Sequence, residues 1–448
     1  MLRTGRFACF AFALVLGAPL LAGCLAEPAS VATAADGAAA PPREAYERLA
    51  ALAADLPCEA DVGVGEGAPT SANLGVVRTA LVDAEGGVEH AEMDLWESPD
   101  GAVARAAFAR HATGGFDLVD LRDPASPTPI GFWDPDEPDV GLDVKFLPDG
   151  QTVVTGGRHA IHLVDVRAPD APVLESAWPL AGPEAHMLVV WAQDGATYVG
   201  AAVAENEDLI LFEVIGGPGE RTLVEVSRPD TTLLSDITNS VTFNAHDASW
   251  SHDPLLDKPV LWVANAWEGL VALDVSDPAA PRQIARIPNT DPYQGYVHTV
   301  RALVTDDGRR LVFSMMEVGV NTLRVHDATD LALPRLLATW HTPEAVKPQH
   351  NLELADGYLT MAHYGEGAYV FDLARLPNGP APLRWEPVAH LEGVGTGNPA
   401  EAPDALFRGT WDVMMHHGLL VTSDMQAGTR VVAFGCLAPG LDAPSSFR

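Results

Sequence analysis

The fold is decided by FDLVDLRDPASP, at Phe116–Pro127, because related phrases recur along the whole chain. Two close copies are IHLVDVRAPDAP at Ile161–Pro172 and LVALDVSDPAAP at Leu270–Pro281. Seven copies in all, two of them degenerate, start 45 to 61 residues apart, at Phe116, Ile161, Leu209, Leu270, Leu323, Ala368 and Thr429. A β-rich phrase repeated at this spacing is typical of propeller blades. The sequence therefore predicts an all-β protein made of one seven-bladed β-propeller.

Each repeat has room for four strands separated by turns rich in Gly, Pro and Asp. The Asp that ends the third strand, as at Asp120, Asp165 and Asp274, is expected to cap the following turn and to have no catalytic role. The last repeat lacks an outermost strand. We expect the segment Val76–Asp83 to supply it from the N-terminal side, which would close the ring and cover both sheet edges.

The first 23 residues have the features of a lipoprotein signal peptide. Arg3 and Arg6 precede an apolar run, and the run ends in Leu21-Ala22-Gly23-Cys24, which resembles a lipobox. Lipidation of Cys24 would anchor the chain outside the cell membrane, whereas a plain secretory signal or an uncleaved anchor is the alternative. We predict a signal peptide at 1–23, a region at 24–66 that contains a spacer, a short helix and a linker, the propeller at 67–438 and a tail at 439–448.

The short helix is predicted at Glu44–Leu56, where apolar residues recur at helical spacing before Pro57. If the signal removes Cys9 and lipid occupies Cys24, only Cys58 and Cys436 remain. An even pair in an oxidising compartment is expected to form a disulfide, here between the start of the folded region and its last blade. Two free thiols are the alternative.

The chain is strongly acidic, with 61 Asp and Glu against 27 Lys and Arg and a formal net charge of −34. Such a surface repels phosphates, so a nucleic-acid partner is not expected. The composition suits a salty habitat, in which ions screen self-repulsion, and it equally suits a GC-rich genome.

The repeated phrases resemble the LVIVD repeat of bacterial and archaeal extracytoplasmic propellers. The segment GTWDVMMHHGLLVTSDMQAGTRVVAF, at Gly409–Phe434, is similar to the closing blade of the choice-of-anchor B proteins in that family. The resemblance runs from about Val88 to Phe434, with Glu213, Arg324 and Ala433 as departures in the weak copies. It implies a propeller at the cell surface, but no particular reaction.

A second regularity lies on the first strand of each repeat, which lines the central channel of a propeller. A polar residue opens each of these strands: His90, Asp143, His186, His246, His298, His350 and Asp412. Imidazoles and carboxylates that converge on an axis are ligands for Zn, Cu, Fe or Mn. We therefore expect these side chains to share one end of the channel, where three or four of them could hold an ion. The alternative is that they only hydrogen-bond to neighbouring blades and water.

Other polar residues on this rim are expected to be loop or strand caps, namely Asp247, Asn351, His416 and Asp424. His416 and His417 are expected to point to opposite faces of a strand, so that they could not easily share an ion. Glu89 and Glu92 flank His90, a pattern that is open to acid–base chemistry, although we expect them to form a solvated rim.

Two functions are compatible with these features. The first is a lipid-anchored, monomeric binding or scaffold module that presents its loops to a surface protein or polymer and holds a metal in its channel. The second is a metal-dependent oxidoreductase or hydrolase with its site at the channel mouth. We favour the first because the chain contains no GxSxG, phosphate-loop, HExxH or CxxC motif.

Overall fold

The computed structural model of the chain describes residues 89–433, except for eleven gaps at 125, 137–138, 181–183, 204–207, 232–244, 290–294, 320–321, 343–347, 381, 394–406 and 426–427. Several sequence predictions lie outside the described residues. They are the signal peptide, the helix Glu44–Leu56, the closing strand Val76–Asp83, lipidation at Cys24 and the pairing of Cys58 with Cys436.

The described residues form seven β-sheets in chain order, as the repeats predict. Blade 1 contains β1 (His90–Glu97), β2 (Ala104–Arg110), β3 (Phe116–Asp120) and β4 (Thr128–Trp133). Blade 2 contains β5 (Asp143–Phe146), β6 (Thr152–Gly156), β7 (Ala160–Asp165) and β8 (Val173–Pro179). Blade 3 contains β9 (Ala185–Gln193), β10 (Ala196–Val203), β11 (Asp208–Ile215) and β12 (Thr222–Ser227). Blade 4 contains β13 (Asp247–Asp253), β14 (Lys258–Asn265), β15 (Gly269–Asp274) and β16 (Arg282–Pro288).

Blade 5 contains β17 (Gly295–Val304), β18 (Arg310–Gly319), β19 (Leu323–Asp327) and β20 (Arg335–Trp340). Blade 6 contains β21 (Leu352–Ala355), β22 (Tyr358–Ala362), β23 (Gly367–Asp372) and β25 (Ala389–Glu392). Blade 7 contains β26 (Thr410–His416), β27 (Leu419–Asp424) and β28 (Gly428–Ala433). A 3₁₀ turn at Leu373–Arg375 follows β23, and the short β24 (Leu383–Arg384) pairs in parallel with β20 of blade 5. The other strand pairs are antiparallel. Within the described part of the chain, blade 7 has three strands, as its repeat predicts.

The inner strands close a ring. Contacts join β1 to β5, β5 to β9, β9 to β13 and so on around to β26, which contacts β1 again. The apolar core is divided into seven clusters, each built chiefly between two neighbouring blades. Middle strands such as β6 and β27 are wholly buried because a blade packs on each of their faces. The result is a seven-bladed propeller whose inner strands line the channel.

The turn after the third strand is capped as predicted. The Oδ1 atoms of Asp120 and Asp165 each accept a hydrogen bond at 2.9 Å from the backbone N–H two residues on, and Asp274 does the same at 3.0 Å. Tryptophans of the outer strands pack against the next blade, as Trp178 does on Phe212. The recurring Asp is therefore a structural residue of the blade.

Candidate metal-binding site in the channel

Four histidines from successive blades form a row around the channel. The ring centroids of His186 and His246 are 4.4 Å apart, those of His246 and His298 are 4.1 Å apart, and those of His298 and His350 are 4.2 Å apart. Trp411 of blade 7 continues the row at 4.5 Å from His350. We call the four imidazoles the histidine row. They meet because each lies near the N-terminal end of an inner strand, at an equivalent place in its blade.

The backbone orients the rings. His246 Nδ1 contacts the carbonyl oxygen of His298 at 2.8 Å, and His350 Nδ1 contacts the carbonyl oxygen of Trp411 at 2.6 Å. Because a carbonyl oxygen only accepts, each Nδ1 must carry the hydrogen. The lone pair of a neutral ring is then on Nε2, and this arrangement prepares histidine for metal binding.

Burial keeps most of the row uncharged. His246, His298 and His350 are all buried, whereas His186 keeps a quarter of its side chain exposed. Burial lowers the pKa of His246 and of His298 well below the usual value, and the neighbouring imidazoles lower both further. The pKa of His350 falls to about 3, mainly through burial. Neutral imidazoles are the form that ligates a metal, so the row is ready to do so at neutral pH.

A carboxyl group and a phenol complete the row at its buried end. His298 Nε2 lies 3.8 Å from Oε2 of Glu317, a residue of β18, and the hydroxyl of Tyr364 donates to Glu317 Oε1 at 2.7 Å. Tyr364 also contacts the ring of His350 at 4.8 Å, and it holds a left-handed backbone conformation with φ of 37°. Burial raises the pKa of Glu317 to about 7. Neither residue was a sequence-based candidate.

Two overlapping groups of three could each hold an ion. In His186, His246 and His298, one ligand atom per residue lies within 4.8 Å of the others, and the same holds for His298, Glu317 and His350. Tetrahedral zinc with bonds of about 2.0–2.1 Å would hold such atoms about 3.4 Å apart, so the rings would draw together on binding. His298 belongs to both groups. Three nitrogen or oxygen ligands with a position left open suit Zn, Cu, Fe or Mn.

The exposed end of the row is charged. His186 Nδ1 lies 3.6 Å from Oε1 of Glu184, and Arg158 Nη2 lies 3.6 Å from the other oxygen of the same carboxylate. The row therefore runs from a partly exposed His186 to a buried His350. An ion or small ligand would approach it past Glu184.

Asp143 and Asp412 are not part of the row, and the prediction that grouped them with it needs correction. Asp143 accepts hydrogen bonds from the N–H groups of Val144 and Leu188, at 2.7 and 2.6 Å. Asp247, the residue after His246, accepts in the same way from an N–H group of its own strand and from one of the next blade. Asp412 likewise accepts from Val413 and Met93, at 2.9 and 3.1 Å. These carboxylates therefore lie one residue beyond the row position, and consecutive strand residues face opposite sides.

His90 is also held elsewhere. Its Nε2 lies 2.8 Å from Oδ2 of Asp117, and its ring stacks on Phe108 with centroids 5.2 Å apart. Both partners belong to blade 1. The pairing of β1 with β2 shifts register between His90 and Met93, and this irregularity accompanies the turn of His90 into its own blade.

Glu92 lies in a buried charged cluster, and the prediction that it is solvated is wrong. Its carboxylate accepts from Trp411 Nε1 at 3.1 Å and from the side-chain amide of Asn351. Burial raises its pKa well above the usual value, and the nearby Asp412 raises it further. Lys145 pairs with Asp143 in the same cluster. Glu89 is half-buried, with its Oε1 at 3.2 Å from Nη1 of Arg408.

The secondary candidates make structural contacts. Asp247 joins blades 4 and 5, Asn351 bonds to Glu92, and Asp424 accepts from the Thr410 hydroxyl at 3.0 Å. His416 lies 3.5 Å from Glu97. Asp247 and Asn351 thus make contacts to other blades where strand or loop caps were expected, and His416 contacts a carboxylate of blade 1.

Comparison with models of known protein families gives no match, and comparison with curated proteins gives none either. Within the described residues, no helix has the length and apolar character needed to cross a membrane.

Proposed function

We propose that this propeller is a lipid-anchored, extracytoplasmic binding module whose channel holds a divalent transition metal at the histidine row. The propeller fold is compatible with a binding or scaffold role, since its loops surround one channel. The lipobox-like end at Cys24 supports the location, and the acidic composition argues against nucleic acid as a partner. The expected partner is a surface protein or polymer, with the protein itself a monomer.

One observation carries the metal proposal. Three buried and neutral imidazoles, those of His246, His298 and His350, have neighbouring ring centroids 4.1 and 4.2 Å apart. A partly exposed fourth imidazole and Glu317 lie beside them. Burying so many polar rings side by side is unfavourable unless their nitrogen atoms find partners. A bound cation would supply a partner for the Nε2 atoms of His246 and His350, whose Nδ1 atoms bond to the backbone.

The test is metal content. The chain, stripped with a chelator and titrated with Zn²⁺ in a calorimeter, should bind at the row, and His298→Ala should remove that binding because His298 is common to both ligand groups. His90→Gln is the matched control, since His90 also begins an inner strand but contacts Asp117. A Zn²⁺ stoichiometry that is unchanged in His298→Ala, or that falls equally in His90→Gln, would contradict the proposal.

The alternative function is a metal-dependent oxidoreductase or hydrolase, and the Glu317–Tyr364 pair favours it. The hydroxyl of Tyr364 donates to a carboxyl group whose pKa is raised to about 7, close to the value suited to proton transfer at neutral pH. Metal-dependent turnover of a thiol or ester substrate that is lost in Glu317→Gln, with metal binding retained, would support the enzyme. Unchanged turnover in that variant would argue against this role for Glu317.

A further inference from the structure

We propose a second metal-binding site, formed by Glu97, His416 and His417 where blade 7 meets blade 1. We call these three residues the closure triad. One ligand atom from each lies within 4.8 Å of the other two, so the described residues bring together two imidazoles and one carboxylate. Two histidines with one carboxylate form a recurrent ligand set for divalent transition metals such as Zn²⁺.

The geometry centres on one carboxylate oxygen. Oε2 of Glu97 lies 2.6 Å from Nε2 of His417 and 3.5 Å from Nε2 of His416, and the two rings are 4.3 Å apart. Glu97 is largely buried, whereas about a sixth of His416 and a quarter of His417 remain exposed. The nitrogens therefore converge at a place that an ion can reach from solvent, with a position left open for water.

Local backbone structure explains why two adjacent histidines converge, contrary to the prediction that they would diverge. His416 is the last residue of β26, and His417 lies in the turn that follows, with φ of 47°. Gly418 is also left-handed, with φ of 77°, and its N–H donates to Asp356 at 3.0 Å. Asn or Gly suits such a turn better than His, so a histidine here carries a conformational cost that ligation would offset.

The closure triad is separate from the histidine row. Trp411 ends the row near the start of β26, whereas His416 ends the same strand. Five residues of extended strand span about 16 Å, so the two sites lie towards opposite ends of the channel-lining strands. The second site therefore does not depend on the first.

An ion in the closure triad would cross-link the ring where its ends meet. Glu97 and His417 are 320 residues apart in the chain, and β1 packs directly on β26 and β27. A ligand that binds only the folded state stabilises it by mass action. The site would thus fasten blade 7, which has three strands among the described residues, to blade 1.

The experiment uses the chain with the row disabled by His246→Ala and His298→Ala. Calorimetric titration of this variant with Zn²⁺ should show one ion per chain and a melting temperature raised by a few degrees. Adding His417→Asn, which suits the left-handed turn, should abolish both effects. No Zn²⁺ binding before that substitution, or unchanged binding after it, would overturn the proposal.

Single substitutions in the otherwise unaltered chain test the same site if the row variant does not fold. In the otherwise unaltered chain, Glu97→Gln and His417→Asn should each lower the Zn²⁺ stoichiometry by one ion, whereas His298→Ala should leave the closure triad loaded. If the unaltered chain binds a single ion, which His298→Ala retains and both triad variants lose, the result counts against the proposed function and supports the closure triad. Unchanged stoichiometry in both triad variants would overturn the second site.

Discussion

Lys145 neutralises the buried carboxyl groups beside the channel. Its ammonium pairs with Asp143, and Glu92, Asp94 and Asp412 all act on it electrostatically. Burial raises the pKa of Asp94 to about 7, because a charged carboxylate is unfavourable in this buried environment. Removing the cation leaves the charges unpaired, and unpaired buried charges are costly.

We therefore expect Lys145→Met to lower the free energy of unfolding by about 3 kcal/mol at pH 8. The loss should shrink at pH 5, where the carboxyl groups take up protons. Lys258→Met is the control, because Lys258 is 40% exposed and Asp274 keeps Arg282 as a partner. It should cost about 0–1 kcal/mol in urea unfolding, and an equal cost for both variants would contradict the prediction.

His350 gives the fold a measurable pH dependence. Its pKa is about 3 in the folded protein and about 6.5 when unfolded. Between these values only the unfolded chain binds the proton, so this contribution to stability is present above pH 6.5 and is lost as the pH falls.

His350→Gln removes this titration. The stability of the wild type relative to the variant should fall by about 2 kcal/mol from pH 6.5 to pH 4.5, measured by urea unfolding with a chelator present. His252→Gln is the control, since the side chain of His252 is 52% exposed. A stability difference that does not change with pH would contradict the assignment.

At the scale of the strand, the inner-strand carboxylates link one blade to the next. Asp247 of blade 4 accepts from Thr299 Oγ1 at 2.6 Å, from Val300 N–H at 3.1 Å and from Arg301 Nη1 at 2.8 Å, all in blade 5. Asp247→Ala should cost about 3–5 kcal/mol, because buried donors lose their partner. Asp165→Ala, at a turn with an exposed Arg167, should cost only about 1 kcal/mol. Similar losses in thermal unfolding would contradict this difference.

The strands also explain which parts of the site were predictable. The recurring phrase marks the third strand of every blade, so it predicts seven blades. The row position was identified correctly in blades 3 to 6, where histidine itself occupies it. In blades 2 and 7 the nearest polar residues, Asp143 and Asp412, lie one step later, and a shift of one residue reverses the face of a strand.

Other parts of the site leave no periodic signal. Glu317 comes from a second strand and Tyr364 from a turn, so only the ring geometry brings them to the inner strands. His417 was misplaced because it lies in the turn after β26 with a left-handed backbone, so the alternation of faces along a strand does not extend to it. Sequence patterns identify strands and their faces, whereas contacts between blades depend on the closed ring.

The whole ring closes where blade 7 meets blade 1. A disulfide between Cys58 and Cys436, which would link the start of the folded region to the last blade, remains a prediction. Peptide mass mapping without reductant should recover the two cysteines in one linked species. Closing so long a loop should stabilise the fold by about 4–5 kcal/mol, so Cys436→Ser should lower the melting temperature under oxidising conditions. Two alkylatable thiols in the unreduced protein would contradict the pairing.

Anomalous diffraction at the zinc edge would show whether the channel histidines bind a metal. Crystals grown with Zn²⁺ should show a peak about 2.0–2.1 Å from a ring nitrogen of His298, with two more ligands from His186, His246, Glu317 and His350. A map with no peak at the histidine row, from crystals in which zinc is bound elsewhere, would show that the row does not bind zinc.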